Sequence, residues 1–109
     1  MYCNMSDLLY TTQGALLGKI TPNMRQIYVG FENDTIKLIY VFDGKITDDD
    51  KENVWLIGVD ITHDLEFLLD EQLISCSMPK MYYPDIGYYC VYGRKEQISI
   101  NNKECNDEK

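Results

Sequence analysis

The sequence predicts one α+β domain in the order helix, strand, strand, helix, strand, strand, with a mainly antiparallel sheet and the helices packed on one face. Three observations predict it. Apolar residues recur at helical spacing in two segments, and they alternate with a period of two in four others. The runs of strand and helix do not alternate one for one, which favours an antiparallel sheet over a doubly wound parallel one. The chain is 109 residues long and 45% hydrophobic, enough for one core spanning residues 1–109 and too little for two.

The first helix is expected from Asp7 to about Leu17. Ser6 is placed to cap it, and Asp7 meets the positive end of the helix dipole. Leu8, Leu9, Thr12, Ala15 and Leu16 share one side, and Gly18 followed by Pro22 ends the run. A hairpin follows. Ile27, Val29 and Phe31 alternate with Tyr28, Gly30 and Glu32. Asn33-Asp34 supplies a turn tolerant of positive φ, and Ile36, Leu38, Tyr40 and Phe42 alternate with Thr35, Lys37, Ile39 and Val41. The second strand is apolar on both faces at its end, as a central strand is.

The second helix is the most strongly marked element. Thr47 is a good N-cap, and Asp48, Asp49 and Asp50 fill the first turn, where carboxylates meet unsatisfied N–H groups. Val54, Ile57, Gly58, Ile61, Leu65 and Leu68 follow a 3.6-residue period, Trp55, Val59 and Thr62 are expected to widen that apolar side, and the helix is expected to run past Leu65. Two strands should follow, one alternating through Leu73–Met78 until Pro79 and one through Tyr88–Gly93. In the latter, Tyr88, Cys90 and Tyr92 are expected on one face, with Tyr89 and Val91 on the other. Gln97 to Ile100 reads as a short edge strand, and the polar tail 101–109 as frayed.

Charge narrows the function. The net charge is −8, and the segment from Asp43 to Glu71 holds ten acids against two bases, so it carries the whole of it. A chain of this balance repels phosphate backbones, which argues against direct nucleic-acid binding. Two readings of the acidic segment stand side by side: a solvated helix face that aids solubility, or a negative patch that steers a basic partner. No apolar run reaches the ~20 residues of a membrane span, and the start lacks the pattern of a secretory signal. A cytoplasmic protein is therefore expected. The four cysteines, Cys3, Cys76, Cys90 and Cys105, are far apart and form no zinc spacing. In a reducing compartment they are expected as free thiols, with Cys76 and Cys90 acting as small hydrophobes.

No catalytic constellation emerges, and no cofactor or metal is implied. His63 is the only histidine, sits mid-helix among acids and has no nucleophile at helical spacing. Asp48, Asp49 and Asp50 point about 100° apart on a helix and lack the glycine turn of a calcium loop. The glycines form no phosphate loop, and Gly14 to Gly18 has small-residue spacing outside any apolar 20-mer. Tyr82, Tyr83, Tyr88, Tyr89 and Tyr92 cluster within eleven residues, as a partly wet interface or as a half-buried edge strand.

Three stretches carry a resemblance: Ala15-Leu16-Leu17-Gly18-Lys19-Ile20-Thr21-Pro22-Asn23-Met24-Arg25, then Ile36-Lys37-Leu38-Ile39-Tyr40-Val41-Phe42-Asp43-Gly44, then Ile46-Thr47-Asp48-Asp49-Asp50. Together they resemble a group of small bacterial proteins that includes immunity proteins of contact-dependent growth inhibition systems, over roughly residues 7 to 70. The resemblance implies a cytoplasmic protein that binds the C-terminal toxin domain of a large secreted effector. Such toxins are often nucleases with basic grooves, which an acidic partner is suited to occlude. On this reading Asp43, Asp48, Asp49, Glu52, Asp60 and Asp64 meet basic toxin residues. Trp55, Tyr83 and Tyr89 serve as aromatic anchors, and the stretch from Leu16 to Gly44 determines the fold.

Two rivals come from other classes. A small enzyme using scattered carboxylates would show a cleft with two strongly perturbed acids. A homo-oligomeric adaptor or structural protein would show a self-complementary apolar patch without an acidic rim.

Overall fold

A computed structural model of the chain describes residues 5–65 and 67–96. Six elements run in the expected order: α1 (Met5–Leu16), β1 (Met24–Glu32), β2 (Thr35–Phe42), α2 (Asp48–Asp64), β3 (Leu68–Ser75) and β4 (Tyr89–Gly93). The strands form one four-stranded sheet in the order β3-β2-β1-β4. Both helices pack on one face.

The hairpin forms as its alternation requires. Glu32 pairs with Thr35 across a two-residue turn in which Asn33 and Asp34 hold φ of 54° and 58°. Positive φ at both turn positions matches the twist of the flanking strands. Ile27, Val29, Ile36, Leu38, Tyr40 and Phe42 point to the helices and pack with Leu8, Ala15 and Leu16 of α1 and Val54, Ile57 and Ile61 of α2. The opposite face has a smaller apolar layer: Tyr28, Ile39, Val41 and Cys76, with Ile74, Tyr82 and Tyr88 against them. The aromatic link after β3 folds back over this second face. Gly30 makes room for it, because a Cβ there would lie 3.0 Å from the Tyr88 ring.

The sheet is mixed, which corrects the mainly antiparallel expectation in one pairing. β1 pairs antiparallel with β2 and with β4, but β3 runs parallel to β2 from Thr35↔Leu68 to Phe42↔Ser75. The β2–α2–β3 path is a crossover, the connection that brings two strands side by side in the same direction. The second helix stops at Asp64, and Leu68 starts β3 with 70% of its surface exposed instead of lying on the helix stripe. β3 also begins five residues before the alternation from Leu73 suggests. Its helix-facing positions are Leu69, Glu71 and Leu73, so a carboxylate interrupts the apolar period there.

A bulge in β4 alters its faces. Tyr28 pairs with Cys90 and Ile27 with Tyr92, leaving Val91 unpaired, and both Val91 and Tyr92 pack towards the helix-side core. Tyr92 therefore does not share a face with Cys90. Cys76 is buried and disulfide-bonded, contrary to the free thiol expected, whereas Cys90 is a free, exposed thiol. Cys3 and Cys105 lie outside the described residues, as do the strand expected at 97–100 and the tail 101–109.

The far side is organised by a residue that the sequence reading passed over. Arg25 sits at a bulge in β1 and is 1% exposed. Its Nε and Nη2 donate to the two carboxylate oxygens of Glu96, at 2.7 Å each. Its Nη1 donates to the carbonyls of Cys76 at 2.6 Å and Lys80 at 2.7 Å. Beside it Arg94 bonds Asp43 at 2.9 Å and Glu96 at 3.1 Å. The pair with Arg25 holds the Glu96 carboxyl below its ordinary range, despite the burial that opposes ionisation. Removing one member of such a pair leaves an uncompensated buried charge. Arg25→Ala is expected to lower unfolding free energy by about 3–5 kcal/mol, read as a lower urea midpoint. A loss within 0.5 kcal/mol would show that the network does not hold the fold.

Candidate interaction surface

The site is built on α2. Thr47 caps it: its hydroxyl accepts from the Asp50 N–H at 3.1 Å, and the Asp50 carboxylate accepts from the Thr47 N–H at 2.9 Å. That reciprocal pair satisfies two of the orphan donors at the helix start. Asp50 turns inward, is buried, and accepts further bonds from Thr21 at 2.7 Å and Asn23 at 3.0 Å. Burial acts to raise the Asp50 pKa, but these hydrogen bonds outweigh it and the net effect is a lowered value. One of the three consecutive aspartates is therefore a fold-holding acid, and Asp48 and Asp49 are left exposed.

Helical spacing sorts the outer surface. Asp48, Glu52, Trp55 and Val59 are separated by four, three and four residues, so they form one stripe along the outside of α2. All four are exposed, Trp55 by 64%. The indole thus stands open, with a valine beyond it and two carboxylates before it. Asp49 and Asp60 lie on the flank next to α1. Asp60 there receives the Lys19 ammonium at 2.7 Å, and Lys19 also donates to the carbonyl of Ala15. A shallow cleft of about 510 Å³ opens between the helices on this flank, lined by Tyr10 and Gly14 of α1, Leu17 just after it, and Asp60 and His63 of α2. His63 is exposed.

The other expected contact residues fall elsewhere. Asp43 ends β2 and is bound by Arg94, whose hydrogen bond holds its carboxyl below the ordinary range. Asp64 is the last residue of α2, and its side chain lies outside the described residues. Tyr83 is half-exposed in the link on the second face of the sheet. Tyr89 is half-exposed on β4, at the sheet edge opposite β3. Structure thus brings Asp48, Glu52 and Trp55 onto one stripe with Asp49 and Asp60 beside it, and it separates Asp43, Tyr83 and Tyr89 from them. The tyrosine cluster is divided. Tyr82 and Tyr88 cover the second face, where the Tyr82 ring lies 6.4 Å from that of Tyr28, and burial pushes the Tyr28 hydroxyl up to about 12.

Glu71 was not singled out by the sequence. It faces the helices from β3, half-buried under α2 at Gly58, where an added Cβ would lie 2.9 Å from its Oε2. The Tyr40 hydroxyl donates to it at 3.4 Å. Burial raises the pKa of both groups. The signal available in the sequence was a glycine mid-helix on the apolar stripe, which marks a close approach.

Among the described residues no three His, Cys, Asp or Glu gather as a metal site, and no helix is long and apolar enough to cross a membrane. An exposed indole flanked by carboxylates is the kind of surface that small protein-binding domains present to a partner. The family is settled by comparison: the profile of the family described as MafI2 immunity protein matches residues 5–96, and the chain belongs to that family. It is an immunity protein of a toxin system, with a cognate toxin as its implied partner. No curated protein matches the chain.

The raised pKa of Glu71 has a consequence for stability. A carboxyl whose folded pKa exceeds its unfolded value favours the fold below the unfolded pKa, about 4.3 for Glu. That contribution is lost as pH rises through the folded value. Ionised Glu71 is then a net cost at neutral pH. Glu71→Gln is expected to raise the urea midpoint at pH 7 and to converge with the parent below about pH 4. A variant less stable than the parent at pH 7 would contradict this.

Proposed function

We propose that the chain neutralises the nuclease domain at the C-terminus of a secreted effector by laying the acidic outer face of α2 over its basic surface, in the cytoplasm of the producing cell. Membership of the immunity family supplies the toxin as partner. The observation that carries the rest is the stripe of Asp48, Glu52, Trp55 and Val59, exposed on the one segment that holds the net charge. Trp55 fills an apolar socket at the centre, Asp48, Asp49 and Glu52 meet basic groups around it, and the rim excludes water. Asp60 joins them by exchanging Lys19 for a toxin cation, and Asp64 extends the same acidic helix. Asp43 is committed to Arg94 and does not take part. Tyr83 and Tyr89 point away from the stripe and reach the toxin only if it wraps around the sheet.

Action is by occlusion and needs no catalysis, metal or nucleic acid. A contact-dependent delivery system fits the resemblance of residues 7 to 70. Cytoplasmic placement follows from where such a toxin would act, and the disulfide at Cys76 removes the support that cysteine usage had lent it.

Co-expression of the chain with the C-terminal domain encoded immediately upstream is expected to restore growth and to give a complex that co-purifies. Trp55→Ala is expected to weaken that complex by about 2 kcal/mol or more. It should move stability by no more than about 0.5 kcal/mol, because the side chain is exposed. Growth arrest despite co-expression, or full affinity in the Trp55 variant, would overturn the reading.

A further inference from the structure

β3 ends the sheet on the side of α2, and among the described residues no strand lies along its outer side. The direction of its backbone groups is fixed by two bonds. Leu68 N–H donates to the carbonyl of Asp34 at 3.4 Å, and Cys76 N–H to that of Phe42 at 2.8 Å. In a parallel ladder the donors facing the neighbour recur at every second residue. Asp70, Gln72 and Ile74 therefore also face β2, and Leu69, Glu71 and Leu73 turn their N–H and C=O groups outward.

Open edges are normally blunted by proline, lysine, bulges, short length or an inward-pointing charge. β4, at the other edge, is five residues long and bulged. β3 is eight residues long, in regular register, without proline or lysine. Its one guard is Glu71, which points inward. The chain accommodates that carboxylate at some cost: Gly58 leaves space for it in α2, and among the described residues its only bonded partner is the Tyr40 hydroxyl at 3.4 Å. No lysine or arginine among the described residues pairs with it.

An inward charge on an edge selects as well as repels. A strand with an apolar or acidic residue opposite Glu71 would bury an unpaired carboxylate, which is costly. A strand with a cation there would neutralise it, and opposite-charge cross-strand pairs are favourable. Trp55 lies three residues before Gly58, about 60° round α2 from the position that meets Glu71. We propose that a strand of the cognate toxin, carrying an arginine or lysine in register with Glu71, adds to the outer edge of β3. Main-chain bonds from Leu69, Glu71 and Leu73 supply affinity, and the buried cation–carboxylate pair supplies discrimination between toxins. The inference rests on the proposed function for the identity of its partner. It adds the sheet edge and Glu71 to a surface otherwise made by α2.

The test is amide hydrogen exchange on the full chain, alone and saturated with a catalytically silenced form of the upstream toxin domain. The amides of Leu69, Glu71 and Leu73 are expected to exchange fast in the free chain and at least about tenfold more slowly in the complex. Asp70 and Gln72 should be slow in both. Glu71→Gln, its fold checked by circular dichroism, is expected to weaken binding about tenfold or more, and Glu71→Arg further. A complex in which those three amides keep their free rates overturns the edge proposal and leaves occlusion by α2 standing. Absence of any complex overturns both. Slow exchange at these amides without toxin, with a dimer by light scattering, assigns the edge to a second copy of the chain and also overturns it.

Discussion

The guanidinium of Arg25 is the group on which the arrangement of this chain depends. It is fully buried, and four of its hydrogen bonds reach two separated stretches: Glu96 beyond the last strand, and the carbonyls of Cys76 and Lys80 in the link. A buried ion pair is not by itself a large stabiliser relative to well-packed apolar groups. Its value here is positional. The second face of the sheet has only a thin apolar layer of Tyr28, Ile39, Val41 and Cys76, and it needs the 76–88 link laid across it. Arg25 fixes the start of that cover at Cys76 and Lys80 and ties it to Glu96 beyond β4, and Arg94 bridges Glu96 to Asp43. With that face closed, α2 and the β3 edge remain as the open, acidic side of the molecule.

The carboxylates divide accordingly. Asp43, Asp50 and Glu96 are held below their ordinary pKa by donors within the chain, and their charge is spent on the fold. Asp48, Asp49 and Glu52 are exposed and available to a partner. Glu71 belongs to neither group. It is partly desolvated with no lysine or arginine paired to it among the described residues, a condition that costs stability in the free chain. On the proposed edge pairing, a half-buried carboxylate without a cation disfavours a toxin strand that brings none. On the proposed function the exposed acids of α2 govern encounter, whereas the indole and Glu71 govern retention.

Much of the fold was legible because local chemistry and global packing agree. Asn33-Asp34 could serve only as a turn, Thr47 with Asp50 could serve only as a helix start, and the alternation through Ile27–Phe42 matched the sheet it forms. The parallel strand was not legible. In Leu68–Ser75 an exposed leucine sits on the outer face and a glutamate occupies an inward position, so neither period shows. The Arg25 network escaped because a lone arginine in an apolar run gives no sign of partners 51 to 71 residues away. Within the site, helical spacing put Trp55 and Val59 on the apolar side of α2, whereas both are exposed beside Asp48 and Glu52. The position of Asp43 was not legible because its bond to Arg94 spans 51 residues, and that of Tyr89 because strand order cannot be read from a tyrosine cluster.

The central claim is that the acidic side of α2 draws a basic toxin surface to it. The most direct measurement is the association rate constant between the chain and its toxin domain as ionic strength rises from about 20 to 500 mM, across which the Debye length falls severalfold. Electrostatic steering predicts a fall of at least about tenfold, with a shallower slope when Asp48, Asp49 and Glu52 are replaced by their amides. A rate constant that stays flat over that range, in parent and variant alike, would contradict the account.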